Sequence, residues 1–146
     1  MPIASGQRVT AGQLNRMQPT TYRAVGSALQ SGPLSNTDVT GCSVTLTTTA
    51  PNAVVVVTAT FYFVFTGAGT TSASGRLAVN GVLENEFAIF GQDPGASADR
   101  ATPTQSYRVV LPAAGSHTLK LTATTPANIA LQGLYTTLVA TVYEVV

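Results

Sequence analysis

The sequence has few charged residues and little basic charge. Only 9% of its 146 residues are charged, the net charge is +1, and Lys120 is the only lysine. A typical soluble domain is about 25% charged, so the polar surface of this chain must come mainly from Thr, Ser, Asn and Gln. Without a basic cluster, the chain cannot neutralise a nucleic-acid backbone or an anionic membrane surface. We therefore expect neither nucleic acid nor a membrane as its partner.

The sequence also lacks the cysteines that would form a disulfide or a zinc site. Cys42 is the only cysteine, and we expect it to be a small buried residue beside Val44 and Leu46. The first residues have neither the basic start nor the apolar stretch of a signal peptide, and no apolar run approaches about 18 residues. We therefore expect a chain that is made in a cytoplasm and lacks a signal peptide.

Side chains that could form an active site are equally scarce. His117 is the only histidine, and no G-x-S-x-G motif is present. Glu84 and Glu86 could form a pair of catalytic carboxylates, but they are more simply explained as a solvated pair that protects a strand edge. Asp93 and Asp99 could bind calcium, but they lack the spacing of a calcium-binding loop. We therefore expect no enzyme, no catalytic residue, no metal and no cofactor.

The dominant feature of the sequence is a run of β-branched and aromatic residues from Ala53 to Gly67. Such a run is typical of a strand, in which alternate side chains point to opposite faces. The face that includes Val55, Val57 and Phe61 is wholly apolar and belongs to a core. The other face is apolar in part and uncharged. At about 3.3 Å per residue the run exceeds a usual strand, so we expect it to bend or to cross between two sheets.

Shorter strand patterns flank this run, with loops predicted at 26–37 and 91–104. Asn80-Gly81 between apolar segments predicts a hairpin. We also predict that 41–49 pairs with the central run, and that 106–111 pairs with 117–124. The last segment, 134–146, is apolar on both faces and should lie centrally in its sheet.

These patterns predict an all-β fold, an antiparallel two-sheet jelly-roll sandwich or a related sandwich, of about eight strands over 20–146, preceded by an arm at 1–19. The apolar second faces of the central and last strands have no helix to cover them. We therefore predict a subunit interface formed by Val54, Val56, Tyr62, Val64, Tyr135, Val139 and Tyr143.

The arm has two interpretations, a frayed terminus or a docking segment. Thr10 can cap a helical turn on which Leu14 and Met17 share a face, and Pro19 ends it. The residues that would dock the arm are Val9, Leu14, Arg16 and Met17.

Two stretches, residues 10–22 (TAGQLNRMQPTTY) and 111–121 (LPAAGSHTLKL), resemble small virion proteins of actinobacterial phages and prophages, which decorate capsids or belong to tails. The second stretch, with the closing strand after it, is also similar to the tumour-necrosis-factor and C1q-like jelly roll. The resemblance implies a homotrimer in the virion, with no catalytic residues.

On this resemblance, the leading hypothesis is a capsid decoration protein anchored by its arm to the major capsid protein, or to a tail protein. The alternative is a minor tail or tail-tip module that recognises carbohydrate on the host surface. The sequence has no Trp, and 91–104 contains no aromatic residue, which favours decoration.

Overall fold

The structure is a computed structural model that describes Arg8 and residues 10–144; for residues 13, 16, 17, 70, 71 and 92–95 it describes the backbone only. One short helix, α1 (Ala11–Met17), precedes the strands. The strands are β1 (Thr20–Val25), β2 (Leu29–Ser31), β3 (Leu34–Thr48), β4 (Ala53–Thr60), β5 (Phe63–Phe65), β6 (Gly69–Val79), β7 (Val82–Leu83), β8 (Ala88–Gly95), β9 (Arg100–Ala101), β10 (Thr104–Leu111), β11 (Gly115–Thr125), β12 (Ile129–Gln132) and β13 (Thr137–Tyr143).

These strands form three antiparallel ladders. The front sheet has the order β1-β13-β4-β10, and the short sheet has the order β2-β12-β5-β9. The back sheet has the order β3-β11-β6-β7, with β8 also paired to β6. The chain therefore forms the predicted all-β antiparallel sandwich, and β13 is central in its sheet as the two apolar faces of the last segment indicated.

The front and short sheets are two halves of one bent sheet, because each strand of one continues into a strand of the other. The central run confirms the expected bend: β4 belongs to the front sheet and β5 to the short sheet. A 3₁₀ turn at Gly133–Tyr135 interrupts the neighbouring strand at the same level. When these strands are joined, and β7 and β8 are counted as one strand because both pair with β6, the described part of the chain contains eight strands, in agreement with the predicted number of about eight.

The core lies between the front and back sheets, as a single apolar cluster. Phe61, Phe63 and Phe65 are completely or almost completely buried, as are Leu77 and Leu121 from the back sheet. Truncating a buried phenylalanine to alanine costs about 3–5 kcal/mol. The core is therefore supplied by the inward face of the central run, as its alternation indicates.

A glycine sets the distance between the two sheets at the centre of the core. A Cβ atom on Gly75 of β6 would lie 2.3 Å from the Phe61 ring, closer than carbon atoms approach without a shift. The Phe61 ring thus occupies the space that a side chain at position 75 of β6 would need.

Two predicted hairpins are wrong. β3 pairs with β11 and not with β4, and β10 pairs with β4 and not with β11. The connections at 49–52 and 112–114 instead carry the chain from one sheet to the other across the edge of the sandwich. A short turn signal marks where a strand ends, but it does not say in which sheet the next strand lies.

Other boundaries agree in part. Asn80-Gly81 forms the predicted hairpin between β6 and β7, with positive φ angles of 51° and 83°. The predicted loop at 26–37 instead contains β2 and the start of β3, and the predicted loop at 91–104 contains the end of β8 and all of β9. Both segments form edges of sheets, where polar residues are common.

Candidate subunit interface and docking arm

The outward surface of the front sheet, here called the front face, combines apolar, hydroxyl and arginine side chains. Cross-strand pairs place the residues in rows across the sheet; one row contains Tyr143, Val54 and Val110. The front face consists of Thr21, Arg23, Val25, Val54, Val56, Thr58, Thr60, Thr104, Ser106, Arg108, Val110, Thr137, Val139, Thr141 and Tyr143. No carboxylate occurs among them.

The apolar surface continues past the bend. Tyr62 follows β4 on the same outward side, and its ring lies 5.1 Å from the ring of Tyr135 in the 3₁₀ turn. Val64 of β5 continues the outward series onto the short sheet, opposite Ala130. Leu134, which is 60% exposed, and Leu29 extend this apolar area.

The structure therefore brings the seven predicted interface residues onto one continuous outward surface. Val56 is 39% exposed, Tyr143 is 46% exposed and Tyr135 is 62% exposed. The other four are half-buried by their neighbours in the sheet. Contiguous apolar area of this kind is unusual on a soluble monomer and is typical of a binding surface. That a second subunit covers it stays a prediction.

The two arginines of the front face have no partner. Arg23 lies opposite Val139 on β1, and Arg108 lies opposite Val56 on β10. Neither side chain makes a hydrogen bond or an ion pair with any residue that the structure describes. The front face thus carries one unpaired cation at each edge of the sheet and no negative charge.

The outward surface of the back sheet, here called the back face, satisfies its cations internally. Lys120 forms an ion pair with Asp38 at 2.9 Å. Arg76 donates a 2.9 Å hydrogen bond to the side-chain amide oxygen (Oδ1) of Asn36 and stacks over the Phe87 ring at 4.4 Å. Over β3 and β11 the rest of this face, which includes Ser43, Thr45, Thr47 and Thr118, is mostly hydroxyl side chains and is well suited to contact with water. At the β8 edge, Phe87 and Ile89 are exposed.

The arm forms the predicted helical turn and runs into β1 after two residues. The Leu14 amide donates to the Thr10 carbonyl oxygen at 3.0 Å, and the Leu14 side chain is 54% exposed. Arg16 and Met17 belong to α1, but their side chains, like the whole of Val9, lie outside the described residues. The structure thus places one of the four predicted docking side chains, Leu14, on an exposed helix.

A shallow pocket lies where the arm meets the end of the sandwich. Asn15 and Gln18 of the arm line it together with Thr20, Tyr22, Thr47, Thr49, Val142 and Glu144. The Glu144 carboxylate accepts hydrogen bonds from the amide of Thr49, at 2.7 Å, and from its hydroxyl. This pair ties the end of β13 to the end of β3, so the pocket floor belongs to the sandwich and one wall belongs to the arm.

The residues considered for chemistry have structural partners. His117 is buried; one ring nitrogen lies 3.0 Å from the Asn80 side-chain nitrogen and the other lies 3.0 Å from the Ala113 carbonyl oxygen. Asn80 in turn accepts a hydrogen bond from the Thr118 amide at 2.9 Å. Both ring nitrogens are therefore engaged in holding the turns at this end of the sandwich.

Burial also suppresses ionisation of two acidic side chains. It raises the pKa of the Cys42 thiol to about 11, and the thiol donates to the Thr136 carbonyl oxygen at 3.3 Å. It raises the pKa of Tyr107 to about 12, and the Tyr107 hydroxyl donates to the Glu86 carbonyl oxygen at 3.2 Å. A neutral, buried thiol is a poor nucleophile, so Cys42 is the core residue that its neighbours in sequence indicated.

Metal-ligand clusters and membrane-spanning helices were both sought in the described part of the chain. No group of three or more His, Cys, Asp or Glu residues there could hold a metal ion. No helix there has the length and apolar character needed to cross a membrane.

The sequence did not point to several residues of the front face. Val25, Arg23, Arg108 and Val110 belong to this surface because β1 and β10 are the edges of the front sheet. The alternation of Arg108 and Val110 with buried Tyr107 and Val109 was a usable signal. The predicted pairing of 106–111 with 117–124 would place these residues in the wrong sheet, because β10 pairs with β4.

Comparison with known proteins gives matches at the level of the fold. No family model and no curated protein matches the sequence. Among solved structures, murine APRIL is 13% identical with a TM-score of 0.50, covering 87% of this chain and 100% of that chain. The tripod from the baseplate of bacteriophage Tuc2009 is also 13% identical with a TM-score of 0.50, covering 99% of this chain and 74% of that one. Eiger TNF from S. frugiperda is 12% identical with a TM-score of 0.48, covering 87% and 93%.

At this level of identity the matches define a fold. The chain spans 74% to 100% of the length of these three solved chains, and only 13% of the length of a fourth matched chain, dimeric latent PorU from Porphyromonas gingivalis. The antiparallel sandwich is of the tumour-necrosis-factor-like jelly-roll type, in agreement with the fold expected from the sequence.

Proposed function

We propose that this chain is a structural protein of a phage virion that assembles as a homotrimer through its front face. One observation carries the proposal: a continuous apolar and hydroxyl surface on the front face, without a carboxylate and with unpaired Arg23 and Arg108, beside a back face whose cations are paired. Burying apolar surface stabilises an assembly by about 25 cal/mol per Å². Three copies that cover each other's front faces would gain this stabilisation.

The fold supports the assignment to a virion. The match to the baseplate tripod of bacteriophage Tuc2009 covers 99% of this chain, so the arm is included together with the sandwich. A non-enzymatic role is part of the proposal, because His117 and Cys42 are both engaged in structural contacts.

Within the virion, we propose that the trimer decorates the capsid and docks through the arm. Leu14 is exposed on a helix that packs at one end of the sandwich, where it is free to contact a larger surface. Three arms on one trimer bind together, so weak apolar contacts add up through avidity. The partner is then the major capsid protein.

The docking role can be tested by removing the arm. A chain that begins at Thr20 should still fold and assemble, because the core and the front face lie within 20–144. It should fail to bind virions from which the native protein has been stripped. A full-length chain with Leu14→Asp is the matched variant, because it removes one exposed apolar contact and leaves the rest of the arm.

Two results would contradict the docking role. If the shortened chain binds the stripped particles as well as the full chain does, the docking surface lies on the sandwich. If the shortened chain does not fold, the arm belongs to the domain. Cryo-electron microscopy of intact particles would locate the protein independently, on the capsid or on the tail.

The alternative function is a minor tail or tail-tip module that recognises carbohydrate on the host surface. The specific observation in its favour is the aromatic pair formed by the half-buried Tyr62 and the exposed Tyr135, since sugar-binding sites commonly use aromatic faces. A trimer formed through the front face would cover this pair. Binding of host-surface glycans that is lost in Tyr135→Ala, with assembly unchanged, would support the alternative and would place the subunit interface elsewhere.

A further inference from the structure

One side of the sandwich carries the only unpaired carboxylates among the described side chains. The segment between β7 and β8 contains Glu84 and Glu86, and neither carboxylate has a hydrogen-bond or ion-pair partner there. The other described carboxylates are engaged: Asp38 with Lys120, Asp99 with the Ala96 amide at 2.7 Å, and Glu144 with Thr49.

This acidic segment lies at the edge of the back sheet, on the side of the sandwich to which β10 belongs. The Tyr107 side chain of β10 reaches it across the core, and its hydroxyl donates to the Glu86 carbonyl oxygen at 3.2 Å. The unpaired Arg23 lies on β1, at the opposite edge of the same sheet. One copy of the chain therefore presents the unpaired carboxylates of Glu84 and Glu86 on the β10 side, where Arg76 and Arg108 also lie, and the unpaired Arg23 on the other side.

Arg23 lies at nearly the same height along the strands as Tyr107, whose hydroxyl contacts the Glu86 backbone. Cross-strand pairing puts Tyr107, Val57, Ala140 and Tyr22 in one row, and Arg23 is one residue from that row. One residue corresponds to about 3.3 Å along a strand. A rotation about an axis parallel to the strands leaves this height unchanged, so it can bring Glu86 of one copy to Arg23 of the next.

Apolar side chains accompany each charge. Phe87 and Ile89, which follow Glu86, are 40% and 65% exposed at the edge of the back sheet. Arg23 pairs across the strands with Val139 of the front face. The two patches thus carry opposite charges, and both contain apolar side chains.

We infer that the second copy of this chain binds in a head-to-tail manner, with the Glu86 carboxylate of one subunit paired to the Arg23 guanidinium of its neighbour. A three-fold assembly needs two different patches on each subunit, because its interfaces are heterologous. The acidic edge at 84–89 and the Arg23 end of the front face are two such patches. The inference depends on the proposed homotrimer and specifies which surfaces meet in it.

A charge-swap experiment tests the pairing in the full-length chain. Arg23→Glu and Glu86→Lys should each raise the concentration at which the trimer dissociates by about tenfold or more, because like charges then face each other at three interfaces. The double variant should restore assembly to within about threefold of the natural chain. Arg23→Glu combined with Glu84→Lys is the matched control, has the same net charge as the swap, and should not restore it.

Sedimentation velocity over a concentration series gives the dissociation concentrations, and thermal melting followed by circular dichroism shows whether each variant folds. If a charge reversal prevents folding, Arg23→Gln and Glu86→Gln give the same double-mutant comparison without a reversal. A coupling between the two positions supports the pairing.

Three results would overturn it: single variants that assemble like the natural chain, a double variant no better than the worse single one, or equal rescue by Glu84→Lys. A natural chain that is trimeric without this coupling would overturn the pairing alone. A natural chain that is monomeric would overturn both the pairing and the proposed trimer.

Discussion

The front and back faces are built from similar strands, yet they differ in how their charges are satisfied. Both faces are rich in Thr. On the back face, Lys120 and Arg76 find partners within the same subunit. On the front face, Arg23 and Arg108 find none among the described residues, and valine and tyrosine side chains surround them. The two faces therefore differ in whether their cations are paired within the subunit, and we expect the face with unpaired cations to be the one that contacts another subunit.

The largest expected effect comes from placing a charge among apolar residues of the front face. Val54→Asp would bury a carboxylate between Tyr143 and Val110, which are its cross-strand neighbours. Burial of an unpaired charge costs several kcal/mol, about 3 or more per subunit. The trimer should therefore be undetectable at micromolar concentration by sedimentation. Val54 is a sharper choice than Val56, because an Asp at Val56 would lie opposite Arg108 and could pair with it.

Thr45→Asp is the matched change on the back face. Thr45 is exposed opposite Thr118, so the new carboxylate stays in water. Assembly should be unchanged. Equal sedimentation behaviour of the two variants would mean that the two faces do not differ in function.

A substitution in the core between the two sheets should destabilise the whole sandwich. Gly75→Ala would place a Cβ atom 2.3 Å from the fully buried Phe61 ring, and overpacking of this kind costs about 3 kcal/mol. The free energy of unfolding in urea should fall by that amount. Gly12→Ala, whose Cβ would meet nothing within 4 Å in α1, should be neutral or slightly stabilising. A Gly75→Ala chain as stable as the natural one would mean that the two sheets do not meet closely there.

Cys42 predicts a loss of stability at alkaline pH. Its pKa of about 11 in the folded chain lies above the ordinary value of 9.0, so between these values the unfolded chain loses the proton while the folded chain keeps it. Stability therefore falls as pH rises, by roughly 2 kcal/mol near pH 10.5. Urea unfolding at pH 8 and pH 10.5 should show a smaller fall in Cys42→Ala. Equal falls in the two chains would contradict the burial of this thiol.

The smallest effect is expected from the ion pair of the back face. Both side chains of Lys120 and Asp38 are well exposed, and such pairs contribute about 0–1 kcal/mol. Lys120→Ala should lower the free energy of unfolding by no more than this and leave the trimer intact. A loss of assembly in Lys120→Ala would place the interface on the back face.

The sequence predicted the parts of the fold that depend on local pattern. Alternation in the central run identified the buried face of β4 and β5, and the two apolar faces of the last segment correctly placed β13 inside a sheet. The predicted interface residues share one surface for the same reason. Each of these features follows from which side of a strand a residue occupies.

Strand partners could not be predicted in the same way. The turns after Thr48 and Leu111 look like hairpin turns, but each leads into the opposite sheet, a choice made by packing between distant strands. Because of this error, the sequence does not predict that Arg108 and Val110 lie on the front face. The position of Glu86 beside Tyr107 likewise depends on a contact between residues 21 positions apart.

The oligomeric state of the natural chain tests the central claim most directly. Sedimentation equilibrium over a concentration series around 1 µM should give a mass three times that of the 15.0 kDa chain, because the proposed trimer would cover the front face. A mass of 15.0 kDa throughout the series would contradict the account, since the front face would then remain exposed to water.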